Sequence, residues 1–295
     1  MAGMGGSGIA GDLVKAMVWS FPVKSIKDYH LPPNASAEDA LVAISYSGNT
    51  EETLSAYHDA AERGMERMVI TSGGKLLELA KRDGVPAVVI PQGLPPRMAL
   101  GWLMTPLALI VARSGLSSPQ LEPDLKKAPE FLRAQLEELA SPEGPALELA
   151  NKFYNRLPVI YASWRFLAVA QRWCAEINEN AKAFAHCAPL PEMNHNEING
   201  LLNPERIVKE AWLVFLRFPE DHPRILARMD ITDEIVRDSV MGVSHVEARG
   251  SNTAERVLWA VLFGDLVSYF LAKAYNVDPI EIPRISYLKK RLAEL

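Results

Sequence analysis

Three aliphatic hydroxyls stand within six residues in Ser45-Tyr46-Ser47-Gly48-Asn49-Thr50, with a glycine among them. The apolar run 41–44 leads straight into Ser45, and apolar residues at helical spacing follow Glu51. The stretch therefore reads as strand, tight polar turn, helix. Such a turn aims hydroxyls and open backbone N–H groups outward at a helix N-terminus, where the dipole favours an anion. A phosphate monoester suits it. The same residues also suit an ordinary helix cap, since Ser or Thr followed by Glu is a common capping signature. A second element of this kind is the glycine-rich opening Gly3-Met4-Gly5-Gly6-Ser7-Gly8.

The other polar constellation lies in the second half. Ala175-Glu-Ile-Asn-Glu-Asn-Ala-Lys182 leads on to Pro189-Leu-Pro-Glu-Met-Asn-His-Asn-Glu-Ile198, which gathers Glu176, Glu179, Glu192, His195 and Glu197. Carboxylates and a histidine near a phosphate pocket suit general acid–base chemistry. A solvated helix end with Glu–Lys pairs is the competing account, and composition by itself favours it. His195 and Glu197 have no third ligand at metal-site spacing, which argues against zinc. Cys174 and Cys187 are too few for a disulfide framework.

These residues need elements to hold them. At 295 residues, 48% hydrophobic and 23% charged, the chain has the composition of a soluble globular protein with one large or two medium domains. A net charge of −5 offers no basic footprint for nucleic acid. The longest apolar stretch, 257–272, contains Asp265 and is too short to span a bilayer, so no membrane is expected and the cytoplasm is the default. The glycine-rich stretch 3–11 reads as a loop and a helix begins at Asp12. Strands are expected at 24–30, 41–45, 65–71 and 85–91, with helices between them, then a buried helix up to Arg113. The richer Ser, Pro and Glu content of 114–147 suggests a connecting region with a linker at 141–145. Strands at 157–163, 211–218 and 244–250 follow, with helices at 164–178, 222–240 and 251–275 and a short basic helix at 285–295. Alternation of this length predicts α/β architecture, each half a parallel, doubly wound sheet flanked by helices, with ligands at the carboxyl ends of the strands. Only Met1 and Ala2 precede the first glycine loop, so the first strand of the N-terminal sheet is expected to be truncated to a stub.

Taken together, Gly3-Met-Gly-Gly-Ser-Gly8, Ser45-Tyr-Ser-Gly-Asn-Thr50, Asn178-Glu-Asn-Ala-Lys182 and Leu288-Lys-Lys-Arg-Leu292 resemble the bifunctional phosphoglucose/phosphomannose isomerase family, within the sugar isomerase (SIS) superfamily. The resemblance covers nearly the whole chain and keeps the family's motif order. It implies two SIS domains, 1–143 with the phosphate loops and 144–295 with the terminal helix. It also implies a homodimer that isomerises an aldose 6-phosphate and fructose 6-phosphate without metal or other cofactor, with a place in glycolysis and gluconeogenesis.

By the same resemblance, Gly5, Gly6 and Ser7 match the first sugar-phosphate loop, and Ser45, Ser47 and Thr50 match the phosphate-binding hydroxyls. Arg97 resembles the arginine that steadies the intermediate's negative charge. Glu179 resembles the base that moves a proton between C2 and C1. His195 resembles the ring-opening histidine supplied across the dimer interface, and Lys289 the lysine that assists it. His186, His222 and His245 read as structural, with His222 the reserve for His195. Ile282 departs from the family, which carries threonine there in association with the mannose epimer. Two other functions are compatible with the motifs: a non-catalytic sugar-phosphate-binding protein, and an isomerase for another phosphosugar.

Overall fold

The structure is a computed structural model that describes residues 1–19, 23–115, 117–292 and 294. The chain divides into two compact units, Met1–Pro129 and Glu130–Leu295.

In the first unit, helix α1 spans Gly5–Met17. The glycine-rich stretch expected as a loop up to Gly11 thus forms the first turns of a helix. Close approach explains it: a Cβ on Gly8 would lie 2.5 Å from the Gly3 carbonyl oxygen, and one on Gly6 would lie 3.1 Å from that of Pro96. Glycine costs about 1 kcal/mol in a helix interior relative to alanine, and the tight packing here accepts no larger residue without backbone movement. Ahead of α1, Ala2 makes single parallel bridges to Ala43 and Ile26. The strand expected at 24–30 amounts to that one bridge.

Strand β1 (Ala40–Ser45), helix α2 (Glu51–Glu62), strand β2 (Glu66–Thr71), helix α3 (Gly74–Asp83) and strand β3 (Ala87–Val89) then alternate as expected. The strands pair in parallel in the order β1-β2-β3. Leu41, Ala43 and Val69 of the sheet pack with Ala56, Tyr57 and Ala60 of α2 and Leu76 and Ala80 of α3. Those helix positions fall on one face at 3- to 4-residue spacing, which is what orients both helices. A 3₁₀ turn, Pro96–Ala99, opens into α4 (Leu100–Arg113), which packs on α1.

Helix α5 (Leu121–Leu139) occupies much of the region that composition marks as a connector. Its polar surface hides a buried stripe, Leu121, Leu125, Ala128 and Leu139. Only the short turn closed by the Gly144 N–H on the Ser141 carbonyl, at 3.0 Å, matches the expected linker.

The second unit carries α6 (Pro145–Phe153), β4 (Leu157–Ser163), α7 (Leu167–Asn180), β5 (His186–Leu190), the short α8 (Glu197–Gly200) and α9 (Glu205–Val208), β6 (Ala211–Arg217), α10 (Pro223–Val236), β7 (Gly242–Glu247), α11 (Thr253–Ala274) and α12 (Pro283–Leu292). All four strands are parallel, in the order β5-β4-β6-β7. Tyr161 of β4, Leu190 of β5, Leu213 and Phe215 of β6 and Met229 of α10 share one buried cluster. Strand β5 escapes the sequence reading because Pro189 interrupts its pattern. As an edge strand it tolerates a residue without an N–H.

Helix α11 is longer than the apolar run from which it was read. At 22 residues, with an 18-residue window of mean hydropathy 1.6, it is long and apolar enough to cross a membrane by length and composition, so the expectation that it is too short does not hold. Here it packs on α6 and α7 with 56% of its apolar window buried. The terminal basic helix ends at Leu292; Ala293 and Leu295 lie outside the described residues.

Candidate active site

Ser45 is the last residue of β1 and is buried. Its Oγ lies 2.9 Å from Thr50 Oγ1 and accepts the Gly48 N–H at 3.1 Å. Ser47, exposed, accepts the Asn49 N–H at 3.2 Å. Thr50 occupies the N-cap position of α2, but its side chain caps no helix N–H. The Ser45 and Thr50 hydroxyls are therefore held to each other, and the start of α2 has no side-chain cap. That arrangement favours an anion cradle over a simple cap.

Neighbouring loops brace this one. Gly48 has φ +69°, and a Cβ there would lie 1.8 Å from the Gly73 carbonyl oxygen, so the loops after β1 and β2 touch backbone to backbone. Asn49 Oδ1 accepts the Lys75 N–H at 3.1 Å, and Ser72 Oγ donates to the Tyr46 carbonyl at 2.6 Å. Ser7, near the start of α1, accepts the Tyr46 N–H at 3.3 Å. Gly5, Gly6 and Ser7 therefore stand beside Ser45, Ser47 and Thr50 at the carboxyl end of the β1-β2-β3 sheet. Arg97 is only 3% exposed, so it is not a surface residue of the Pro95-Pro96 turn. Its Cα would lie 3.3 Å from a Gly6 Cβ, which puts its backbone against the start of α1.

In the second unit, Glu179 is half-buried on the last turn of α7. Glu176, one turn earlier, is buried and meets Arg172 Nη1 at 2.5 Å. Arg172 also donates from Nε and Nη2 to the two Asp265 oxygens, each at 3.0 Å. Asn178 Oδ1 accepts the Ala185 N–H at 3.2 Å. Lys182, in the left-handed region at φ 53°, donates to the carbonyls of Asn180 and Asp278. The Asn-Glu-Asn-Ala-Lys segment is thus pinned on both sides of Glu179.

The remaining acids of the polar cluster carry structural bonds. Glu192 accepts from Asn196 Nδ2 at 3.0 Å. Glu197 Oε2 accepts from Tyr161 Oη at 3.2 Å and lies 3.1 Å from His186 Nε2. The His186 bond holds the Glu197 carboxyl below its usual range, and Glu197 in turn raises the His186 pKa. Burial, followed by the Glu197 charge, pushes the Tyr161 phenol upward. His195 ends the short 3₁₀ turn Glu192–His195 and is exposed. His222 is committed to capping α10, its Nδ1 accepting the Arg224 N–H at 3.1 Å. His245 bridges Asp233 and Arg217 at 3.0 and 3.1 Å. Lys289 is exposed on α12, and the partly buried Ile282 immediately precedes that helix.

Sequence reasoning missed Arg172, Asp265 and Tyr161. The first two leave a trace: Arg172 and Glu176 are spaced i,i+4, and an aspartate in an otherwise apolar helix demands a partner. Tyr161 leaves none, because in a buried strand its ring alone accounts for it. Among the described residues no group of three or more His, Cys, Asp or Glu side chains is placed to hold a metal ion.

Residues 143–292 match the family described as bacterial phospho-glucose isomerase C-terminal SIS domain. The chain is 38% identical over 302 residues to the bifunctional phosphoglucose/phosphomannose isomerase of Caldicellulosiruptor bescii, covering 100% of this chain and 89% of that protein. It is 38% identical over 197 residues to the D-glucosamine-6-phosphate 4-epimerase of Sulfolobus acidocaldarius, covering 66% of this chain and 61% of that one. Among solved structures, a hypothetical protein from Thermus thermophilus superimposes with a TM-score of 0.74 at 19% identity, over 99% of this chain and 82% of that one. That likeness is one of fold.

Proposed function

The chain belongs to the bifunctional phosphoglucose/phosphomannose isomerase family, and from that premise we propose that it interconverts glucose 6-phosphate and mannose 6-phosphate with fructose 6-phosphate. The observation that carries this reading is the 38% identity to the Caldicellulosiruptor bescii isomerase along the full chain. The mutually bonded hydroxyls of Ser45 and Thr50 support its phosphate end.

Binding energy from the phosphate, gathered by Ser45, Ser47, Thr50 and the Gly5-Gly6-Ser7 start of α1, positions carbons that the phosphate itself does not touch. His195 and Lys289 pass a proton from the C1 hydroxyl to the ring oxygen as the ring bond breaks, leaving the open-chain aldehyde. Glu179 then removes the C2 proton, and the electron pair moves onto O1 as the C1–C2 enediolate forms. Arg97 stabilises that charge. The O2 proton passes to O1 and Glu179 returns its proton to C1, which leaves the ketose. Glucose and mannose 6-phosphates differ only at C2, and loss of the C2 proton erases the difference, so one enediol serves both.

Two SIS domains, 1–143 and 144–295, belong to this reading, supported by a family match that begins at residue 143. A homodimer in which His195 acts in the partner subunit's site is supported by the exposure of His195 on its own chain. A cytoplasmic enzyme at the branch of sugar-phosphate metabolism completes it, since a phosphate dianion does not cross a bilayer unaided.

The identity to a glucosamine-6-phosphate epimerase favours a second reading, chemistry on a different phosphosugar in the same cradle. Fructose 6-phosphate formation by the purified protein from each hexose 6-phosphate, with EDTA present, separates the alternatives. Turnover of both sugars supports the isomerase. Tight binding without turnover leaves a sugar-phosphate-binding protein, and turnover of an amino sugar phosphate alone favours the second reading.

A further inference from the structure

Arg172 is 3% exposed, a placement that a cation survives only when it is well paired. Glu176 meets it at 2.5 Å and Asp265 of α11 grips it with both oxygens at 3.0 Å. The other Glu176 oxygen accepts from Asn180 Nδ2 at 3.0 Å, and that same amide donates to Ser268 Oγ at 2.9 Å. Ser268 donates to the Asp265 carbonyl at 2.7 Å and so closes the ring. The ring brackets Glu179: Asn180 follows it directly and Glu176 lies one turn before it. Burial opposes the Arg172 charge, yet Asp265, Glu176 and Glu179 together raise its pKa, so Glu179 lies within its field.

We propose that Arg172 is a positioning residue for the catalytic carboxylate, fixing the end of α7, and Glu179 with it, through the Glu176–Asn180–Ser268–Asp265 ring. The proposal rests on Glu179 being the base. Stability alone is a weak reason for such a ring, because apolar residues of similar volume commonly replace buried ion pairs without loss. Charged groups around it include Glu176 and Glu179 on α7, Asp265 on α11 and Lys182, which donates to the Asn180 carbonyl beyond the helix end. From β5 the titratable group packed on α7 is Cys187, against Cys174, with His186 and Glu197 behind it.

The test is the pH dependence of kcat, with KM recorded alongside, for the full-length enzyme. Arg172→Met leaves the ring's carboxylates without their cation; the acid limb of kcat moves up by about one unit and kcat falls roughly tenfold or more, with little change in KM. Arg172→Lys restores the limb. Asp265→Asn, which removes a negative charge instead, moves the limb down and carries the test if Arg172→Met does not fold. Acid limbs that stay at the wild-type position in the folded variants, with only thermal stability lost, overturn the proposal and leave the ring a structural one. Glu179→Gln, run in parallel, separates the two failures. If that variant keeps wild-type kcat, the assignment of the base is wrong; if it is inactive while the limbs do not move, only the role of Arg172 is wrong.

Discussion

Ser45 Oγ and Thr50 Oγ1 lie 2.9 Å apart, joining the last residue of β1 to the N-cap position of α2. A threonine at that position normally spends its hydroxyl on a helix N–H. Here the hydroxyl turns to Ser45. The relationship leaves the start of α2 without the side-chain cap that its sequence suggests.

Thr50→Val therefore raises KM for a hexose 6-phosphate about tenfold, the worth of a hydrogen bond to a charged group, while loss of the Ser45 bond costs about 1 kcal/mol of stability. Were the hydroxyl a cap, the same substitution would cost about 1 kcal/mol of stability and leave KM alone. Steady-state kinetics distinguish the two.

Gly48→Ala is a harsher change. The φ of +69° disfavours any side chain, and the Cβ would meet the Gly73 carbonyl oxygen at 1.8 Å. We expect a loss of about 2 kcal/mol or more and a rise in KM, as the loops after β1 and β2 are forced apart. Wild-type stability in a denaturant titration would show that the loops do not touch.

The His186–Glu197 pair makes stability depend on pH. The folded-state pKa of His186 is raised, so its contribution is full below its unfolded value of about 6.5 and fades as pH rises through the folded value. That of Glu197 is lowered, so its contribution is present above about 4.5 and fades as pH falls through the folded value. The pair is strongest between those limits. Because both side chains are about a third exposed or more, it is worth no more than about 0.5 kcal/mol. Glu197→Gln should lower the melting temperature more at about pH 5.5 than at about pH 9. Equal losses at both would assign the whole effect to the uncharged Tyr161 bond.

Ile282 immediately precedes α12 and offers no hydroxyl there. We expect mannose 6-phosphate to be the poorer substrate, and Ile282→Thr to improve its kcat/KM relative to glucose 6-phosphate about fivefold, the value of one neutral hydrogen bond. Equal wild-type rates on the two sugars would show that this position does not read the epimer.

Local pattern made part of this site legible. The loop 45–50 sits where an apolar strand gives way to a helix, and hydroxyl spacing needs no tertiary information. Glu179, His195 and Lys289 came from motif order, not from any physical signal in their surroundings. The glycines of α1 read as loop formers because the contacts that require them, with Gly3 and Pro96, come from chain segments that meet only on folding. Strand β5 was hidden by Pro189, whose tolerance depends on edge position, and α5 by a polar surface over a narrow buried stripe. The Arg172–Asp265 pair joins residues 93 apart in sequence. Its traces were the i,i+4 spacing of Arg172 and Glu176 and an aspartate where an apolar helix had no reason for one.

The central claim is that Glu179 moves the proton between C2 and C1, and the most direct test is the turnover of Glu179→Gln with glucose 6-phosphate. A neutral amide of the same shape keeps the hydrogen-bonding frame and removes the base. The account predicts kcat lower by roughly 10³-fold or more, with KM within about a factor of three of wild type, since phosphate anchoring is untouched. A kcat within about tenfold of wild type would contradict it and assign the proton transfer to another group.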